Sequence, residues 1–71
     1  MPDATLTDRE TETLEFIKKY RQENDFSPTY REIGDALGVS FVRAKQIVDL
    51  MKNKGVVTYT PGKNRTIKEI E

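Results

Sequence analysis

Residues 29–55 read TYREIGDALGVSFVRAKQIVDLMKNKG, and Gly38-Val39-Ser40 in the middle of that stretch decides the fold. To its left, Thr29-Tyr30-Arg31-Glu32 is a capping box. The threonine hydroxyl takes a free amide at a helix start and the glutamate reaches back to the threonine amide. Ile33, Ala36 and Leu37 follow at helical spacing, and Gly38 is a ready stop, so a helix is expected at about 30–37. To its right, Ser40 is an N-cap, and Ala44, Ile47, Val48 and Met51 run i, i+3, i+4, i+7 on one apolar face. Lys52 and Lys54 suit the negative end of a helix dipole and Gly55 sits where a C-terminal cap belongs, giving a helix at about 41–54. Two short helices joined this tightly are held at a steep angle, the helix-turn-helix arrangement. Ala44, small and inward, lets the preceding helix approach.

Upstream, Ser27-Pro28 is a turn. Thr7-Asp8-Arg9-Glu10 is another capping box, with Leu6 placed for a hydrophobic staple. Leu14, Ile17 and Arg21 share a stripe with Phe16 and Tyr20 beside it, which predicts a first helix at about 7–24, closed by Asn24-Asp25. Lys18, Lys19 and Arg21 read as its solvated face. Residues 1–5 have no periodicity. Downstream, Val56 to Thr60 is β-branched or aromatic, Pro61-Gly62-Lys63-Asn64 is a turn cluster, and Arg65 to Ile70 returns as a strand with Ile67 inward. The expectation is a mainly α chain with a small β-hairpin at about 56–60 and 65–70. It is a three-helix winged helix-turn-helix in a single domain over residues 1–71.

Composition narrows the function. The 71 residues include no cysteine and no histidine. Disulfides, thiolate nucleophiles, zinc fingers and imidazole bases are therefore excluded from this sequence. With no nucleophile–base pair, metal cluster or phosphate-binding loop, no enzyme activity, metal or cofactor is expected. Hydrophobic residues are 35% and charged residues 34%, a lean globular balance, and no three apolar residues stand in a row. That excludes a membrane span or signal peptide from the sequence and leaves a cytoplasmic protein as the expectation. Twelve bases and twelve acids cancel. Their distribution does not. Residues 1–25 carry seven acids against four bases, and residues 26–68 eight bases against three acids. An acidic front and a basic remainder predict a polarised surface.

Several motifs together resemble the amino-terminal DNA-binding domain of the LexA repressor family. Leu6-Thr7 with Arg9 is similar to its opening. Ser27-Pro28-Thr29, then Arg31-Glu32-Ile33 and Ala36-Leu37-Gly38, resemble its second helix. Lys54-Gly55-Val56-Val57 and the stretch from Gly62 to Ile67, with Arg65, resemble its wing. The similarity spans about 6–70. It implies a winged helix-turn-helix that binds double-stranded DNA as a transcriptional repressor. Between Gly38 and Gly55 the chain is one residue shorter than LexA sequences, and it has nothing to supply their Ser-Lys self-cleaving domain. Neither self-cleavage nor an operator sequence is implied.

The residues point the same way without the family. If Ala44, Ile47, Val48 and Met51 face inward, Phe41, Val42, Arg43, Lys45, Gln46 and Asp49 are left outward or flanking. The first turns of such a face are what a recognition helix presents to a major groove. Candidate base readers are Arg43 for guanine, Gln46 for adenine, Phe41 and Val42 for a thymine methyl, and Lys45. Candidate backbone contacts are Thr29, Tyr30, Arg31, Ser40, Lys52, Lys54, Lys63 and Arg65. Blander roles compete with these. The Thr-x-x-Glu boxes are chiefly caps, Tyr20 and Tyr59 are core-edge residues, and the dipole alone explains Lys52 and Lys54. Phe41 and Val42 at an exposed helix start mark a contact surface, which on the alternative reading is a docking face for a protein partner. One such module covers only about 600–1,000 Å² on DNA, so two copies on a two-fold site are expected.

Overall fold

Two threonines and a serine start the three helices in the computed structural model of this chain, which describes residues 6–63 and 65–70. The expectations for residues 1–5 and for Asn64 lie outside the described residues. Helix α1 (Asp8–Asn24) and α2 (Tyr30–Leu37) each open on a complete capping box, through Thr7–Glu10 and Thr29–Glu32. Helix α3 (Phe41–Asn53) opens on Ser40, whose hydroxyl accepts from the Arg43 amide. The ends are left-handed: Asp25 closes α1 at φ 62°, and Gly38 closes α2 at φ 73°. Helix α3 stops at Asn53. There the Gly55 and Val56 amides turn back onto the carbonyls of Lys52 and Met51, the paired bonds of a Schellman cap.

The core is one cluster. Ile17 of α1, Ile33 of α2, Ala44, Ile47, Val48 and Met51 of α3, and Val57 and Ile67 of the hairpin are all buried. The buried side of α1 is Glu10, Thr13 and Ile17, one turn upstream of the expected stripe, while Leu14 is only half-buried. Polar side chains are tolerated there because both are bonded. Thr13 donates to the Arg9 carbonyl, and Glu10 meets Thr7 and Lys54. Arg21, expected in solvent, pairs with Glu69 at 2.6 Å and ties α1 to the hairpin.

On α2, Ala36 is exposed and Gly34 is the inward small residue. A Cβ at Gly34 would lie 2.9 Å from the Val39 carbonyl oxygen and 3.3 Å from that of Ser40. The turn between α2 and α3 folds directly over this glycine. Gly34→Ala gains about 1 kcal/mol of helix propensity but forces backbone apart at an overpacking cost of about 1–3 kcal/mol. The expected net effect is a loss of up to about 2 kcal/mol, read as a lower urea midpoint, and a raised midpoint would contradict this packing.

The hairpin is shorter than expected. Strands β1 (Val57–Thr58) and β2 (Lys68–Glu69) pair antiparallel, with Val57 opposite Glu69 and Thr58 opposite Lys68. Beyond them the ladder is replaced by side-chain bonding. The Thr60 amide donates to Thr66 Oγ1 at 2.9 Å, and the Thr66 hydroxyl donates back to the Thr60 carbonyl. Gly62 and Arg65 both take left-handed conformations within this loop, so it cannot continue as strand. No helix among the described residues is long and apolar enough to cross a membrane.

Candidate nucleic-acid interface

The start of α2, the start of α3 and the hairpin loop enclose an open groove of about 670 Å³. Thr29, Tyr30 and Arg31 form one wall, Phe41 and Lys45 the second, and Tyr59 to Lys63 with Arg65 to Ile67 the third. Among the described residues four cations line it and no carboxylate does. Of the expected site residues, seven meet here: Thr29, Tyr30, Arg31, Phe41, Lys45, Lys63 and Arg65.

Helix geometry arranges the rest around α3. With Ala44, Ile47, Val48 and Met51 inward, a rotation of about 100° per residue sets Val42 and Gln46 opposite the core. Phe41, Lys45 and Lys52 flank them on the wing side, and Arg43 and Leu50 on the far side. Val42 is 61% exposed and Phe41 51%. Arg43 reaches forward to Gln46 Oε1 at 3.4 Å, a long exposed bond. Asp49, expected outward, accepts from the Tyr59 hydroxyl instead and so joins α3 to the hairpin.

Several expected backbone contacts are committed inside the chain. The Lys54 ammonium sits 2.6 Å from Glu10, a carboxylate that is 5% exposed. Arg65 is the centre of a clasp. Its guanidinium donates to Glu32 through both terminal nitrogens, reaches the Tyr20 hydroxyl and the Ser27 carbonyl, and lies over the Phe26 ring. These partners give both cations a structural role beside the expected one: Lys54 joins α3 to α1, and Arg65 joins the hairpin to α1 and α2 while lining the groove. Thr29 and Ser40 spend their hydroxyls on caps. Lys52 stands 4.4 Å over the Tyr59 ring. Arg31, Lys45 and Lys63 make no ion pair among the described residues, and all three border the groove. The long-range ion pairs had no sequence signature. Arg9 was legible only as part of a motif, yet it also donates to the Leu37 carbonyl at 2.9 Å, capping the C-terminal end of α2 from α1.

The titrations reflect these bonds. The Thr29 amide, outweighing burial and aided by Tyr20 and Arg65, lowers the Glu32 carboxyl to about 2. Burial pushes Glu10 up, but Lys54 and Thr7 more than offset it and hold it below the ordinary value. Glu69 is likewise lowered, since its own backbone amide and Arg21 outweigh burial. The bond to Asp49, with burial, pushes the Tyr59 phenol up to about 12, so it stays a donor at neutral pH. A lowered carboxyl gives stability that is present above its unfolded value near 4.5 and lost as pH falls through its folded value. The urea midpoint is therefore expected to hold from pH 7 to about 5 and to fall between about 4.5 and 2. Glu32→Gln should flatten the lower part of that fall; an unaltered profile would show that the clasp is not what titrates.

Comparisons with known proteins agree with this architecture. The family model described as the LexA DNA binding domain matches residues 3–66. A LexA repressor of Bifidobacterium longum is 33% identical over 69 residues, covering 96% of this chain and 29% of that protein. One from Anaeromyxobacter is 36% identical over 63 residues, 87% of this chain and 27% of the relative. LexA repressor 1 of Pseudomonas putida is 38% identical over 64 residues, 89% of this chain and 32% of the relative. The chain thus spans about three-tenths of the length of the curated relatives it matches. With the three helices, the tight turn over Gly34 and the hairpin in place, the conclusion is direct: this chain belongs to the LexA DNA-binding domain family.

Proposed function

We propose that this chain binds double-stranded DNA and acts as a sequence-specific transcriptional regulator, a repressor that blocks its site by occupying it. Helix α3 enters the major groove with Val42 and Gln46 foremost, Phe41 and Lys45 on the wing side and Arg43 on the far flank. The hairpin lies over the neighbouring backbone. Arg31, Lys45 and Lys63 neutralise phosphates, with Lys52 and the Tyr30 hydroxyl beside them. Lys54 and Arg65 are secondary candidates for the backbone, since each already holds an internal partner.

One observation carries the reading. Among the described residues Arg31, Lys45 and Lys63 carry no ion pair, and they converge on a groove whose lining holds no carboxylate. Zero net charge thus conceals a local positive field. Membership of a family whose relatives are repressors supports the regulatory part. Because one module covers so little DNA, two copies on a two-fold site, about 34–36 Å or a multiple apart, supply the selectivity.

The test is the salt dependence of binding to a mixed-sequence duplex. Neutralising about four phosphates gives a log–log slope near −3 to −5. A flat dependence would contradict the proposal and favour a protein partner docked on Phe41 and Val42, the exposed apolar pair that motivates that second reading.

A further inference from the structure

Phe41 is the first residue of α3, and it is both exposed and braced. The Tyr30 ring meets it edge to face, with centroids 5.9 Å apart and planes at 88°. Behind Tyr30 stands Tyr59, 6.2 Å away at 80°. Tyr59 is fixed in turn by its bond to Asp49 and by the Lys52 ammonium over its ring. Three rings in series therefore run from the hairpin to the tip of the proposed reading helix. A side chain held this way has little rotamer freedom left to lose on contact.

The position needs an explanation beyond packing. Phe41 keeps 51% of its surface in solvent and its neighbour Val42 keeps 61%, so neither serves the core. Neither can donate or accept a hydrogen bond, so neither can read the polar pattern of a base edge. In the major groove the distinctive apolar group on a base pair is the C5-methyl of thymine, and apolar side chains are its natural contact.

We infer that Phe41, with Val42 beside it, selects a pyrimidine 5-methyl group, thymine in ordinary DNA, and that the Tyr59–Tyr30–Phe41 ladder makes the wing the support of that reader. The inference rests on the duplex-binding reading above. Tyr30 and Tyr59 are positioning residues in it; Phe41 and Val42 touch the base.

The experiment first enriches a preferred site from random duplexes with the 71-residue chain. Each thymine of that site is then replaced, one at a time, by deoxyuridine, which removes only the methyl group. One or two replacements should weaken binding about fourfold, the factor expected for one methyl-sized group taken out of water. Cytosine placed at the same position should bind better when methylated at C5. Phe41→Ala should bind the thymine and deoxyuridine duplexes alike while keeping the salt slope of the parent, and Phe41→Leu should keep part of the discrimination. A preferred site without thymine, or affinity indifferent to every deoxyuridine, overturns the inference while duplex binding stands. Absence of duplex binding at low salt overturns both readings together. The deoxyuridine series leaves the protein unaltered, so misfolding of a variant cannot imitate either result.

Discussion

Ile33→Ala is expected to lower stability by about 2–5 kcal/mol and the melting midpoint by roughly 10–30 °C. Helix α2 has eight residues, and only Ile33 and Gly34 are buried in it. Gly34 brings no side chain, so the docking of α2 rests on Ile33, with Tyr30 and Leu37 half-buried at its sides. Truncation removes most of an apolar side chain that is fully buried among residues of the other helices and the hairpin. A domain of this size has a total stability of about 4–10 kcal/mol, so the variant stands near its folding threshold. Urea denaturation followed by circular dichroism measures the loss. Val42→Ala, at a position opposite the core, should stay within about 0.5 kcal/mol of the parent. Equal effects at the two positions would contradict the assignment of Ile33 to the core and Val42 to the outer face.

The second large effect concerns binding. Lys45→Glu should weaken duplex affinity about 10–100-fold at moderate salt and make the log–log salt slope shallower by about 1–2. Lys45 borders the groove without an ion pair of its own among the described residues. Reversal therefore removes one neutralised phosphate and places a carboxylate against another. Stability should hardly move, since the side chain is exposed on α3. Lys18→Glu on α1, exposed and away from the groove, is the matched control and should leave affinity within about twofold. Equal losses from both reversals would mean that overall charge, not this groove, governs binding.

The fold class was legible because its punctuation is local. Thr7, Thr29 and Ser40 start helices, and Asp25, Gly38 and Gly55 end them, through backbone bonds that span only a few residues. The i, i+3, i+4, i+7 run of α3 is a core face for the same reason. What escaped the sequence is long-range. Glu10–Lys54, Glu32–Arg65 and Arg21–Glu69 join residues 44, 33 and 48 positions apart, and no period or spacing announces such partners. That is why the internal partners of Lys54, Arg65 and Arg21 were not foreseen. Gly34 escaped for a related reason. Within a helix pattern it registers only as a weak helix former, and the Val39 carbonyl that requires it becomes visible once the turn is built. The short ladder of the hairpin likewise follows from side-chain bonds between Thr60 and Thr66, which strand propensity does not encode. Of the candidate interface, the sequence located the start of α3. The groove, and the ring ladder that braces Phe41 against the hairpin, depend on α2 and Tyr59 arriving from different parts of the chain.

The most direct test is a backbone amide NMR titration of the labelled chain with a mixed-sequence duplex of about 20 base pairs at two salt concentrations. Nonspecific binding with a dissociation constant near 10⁻⁴ to 10⁻⁶ M is sufficient to be seen. Salt-sensitive shifts are expected at Tyr30 and Arg31, from Phe41 to Gln46, and from Thr60 to Lys63, with the exposed face of α1 around Glu15 and Lys19 unmoved. No shifts at low salt, or shifts centred on α1, would contradict the proposed interface.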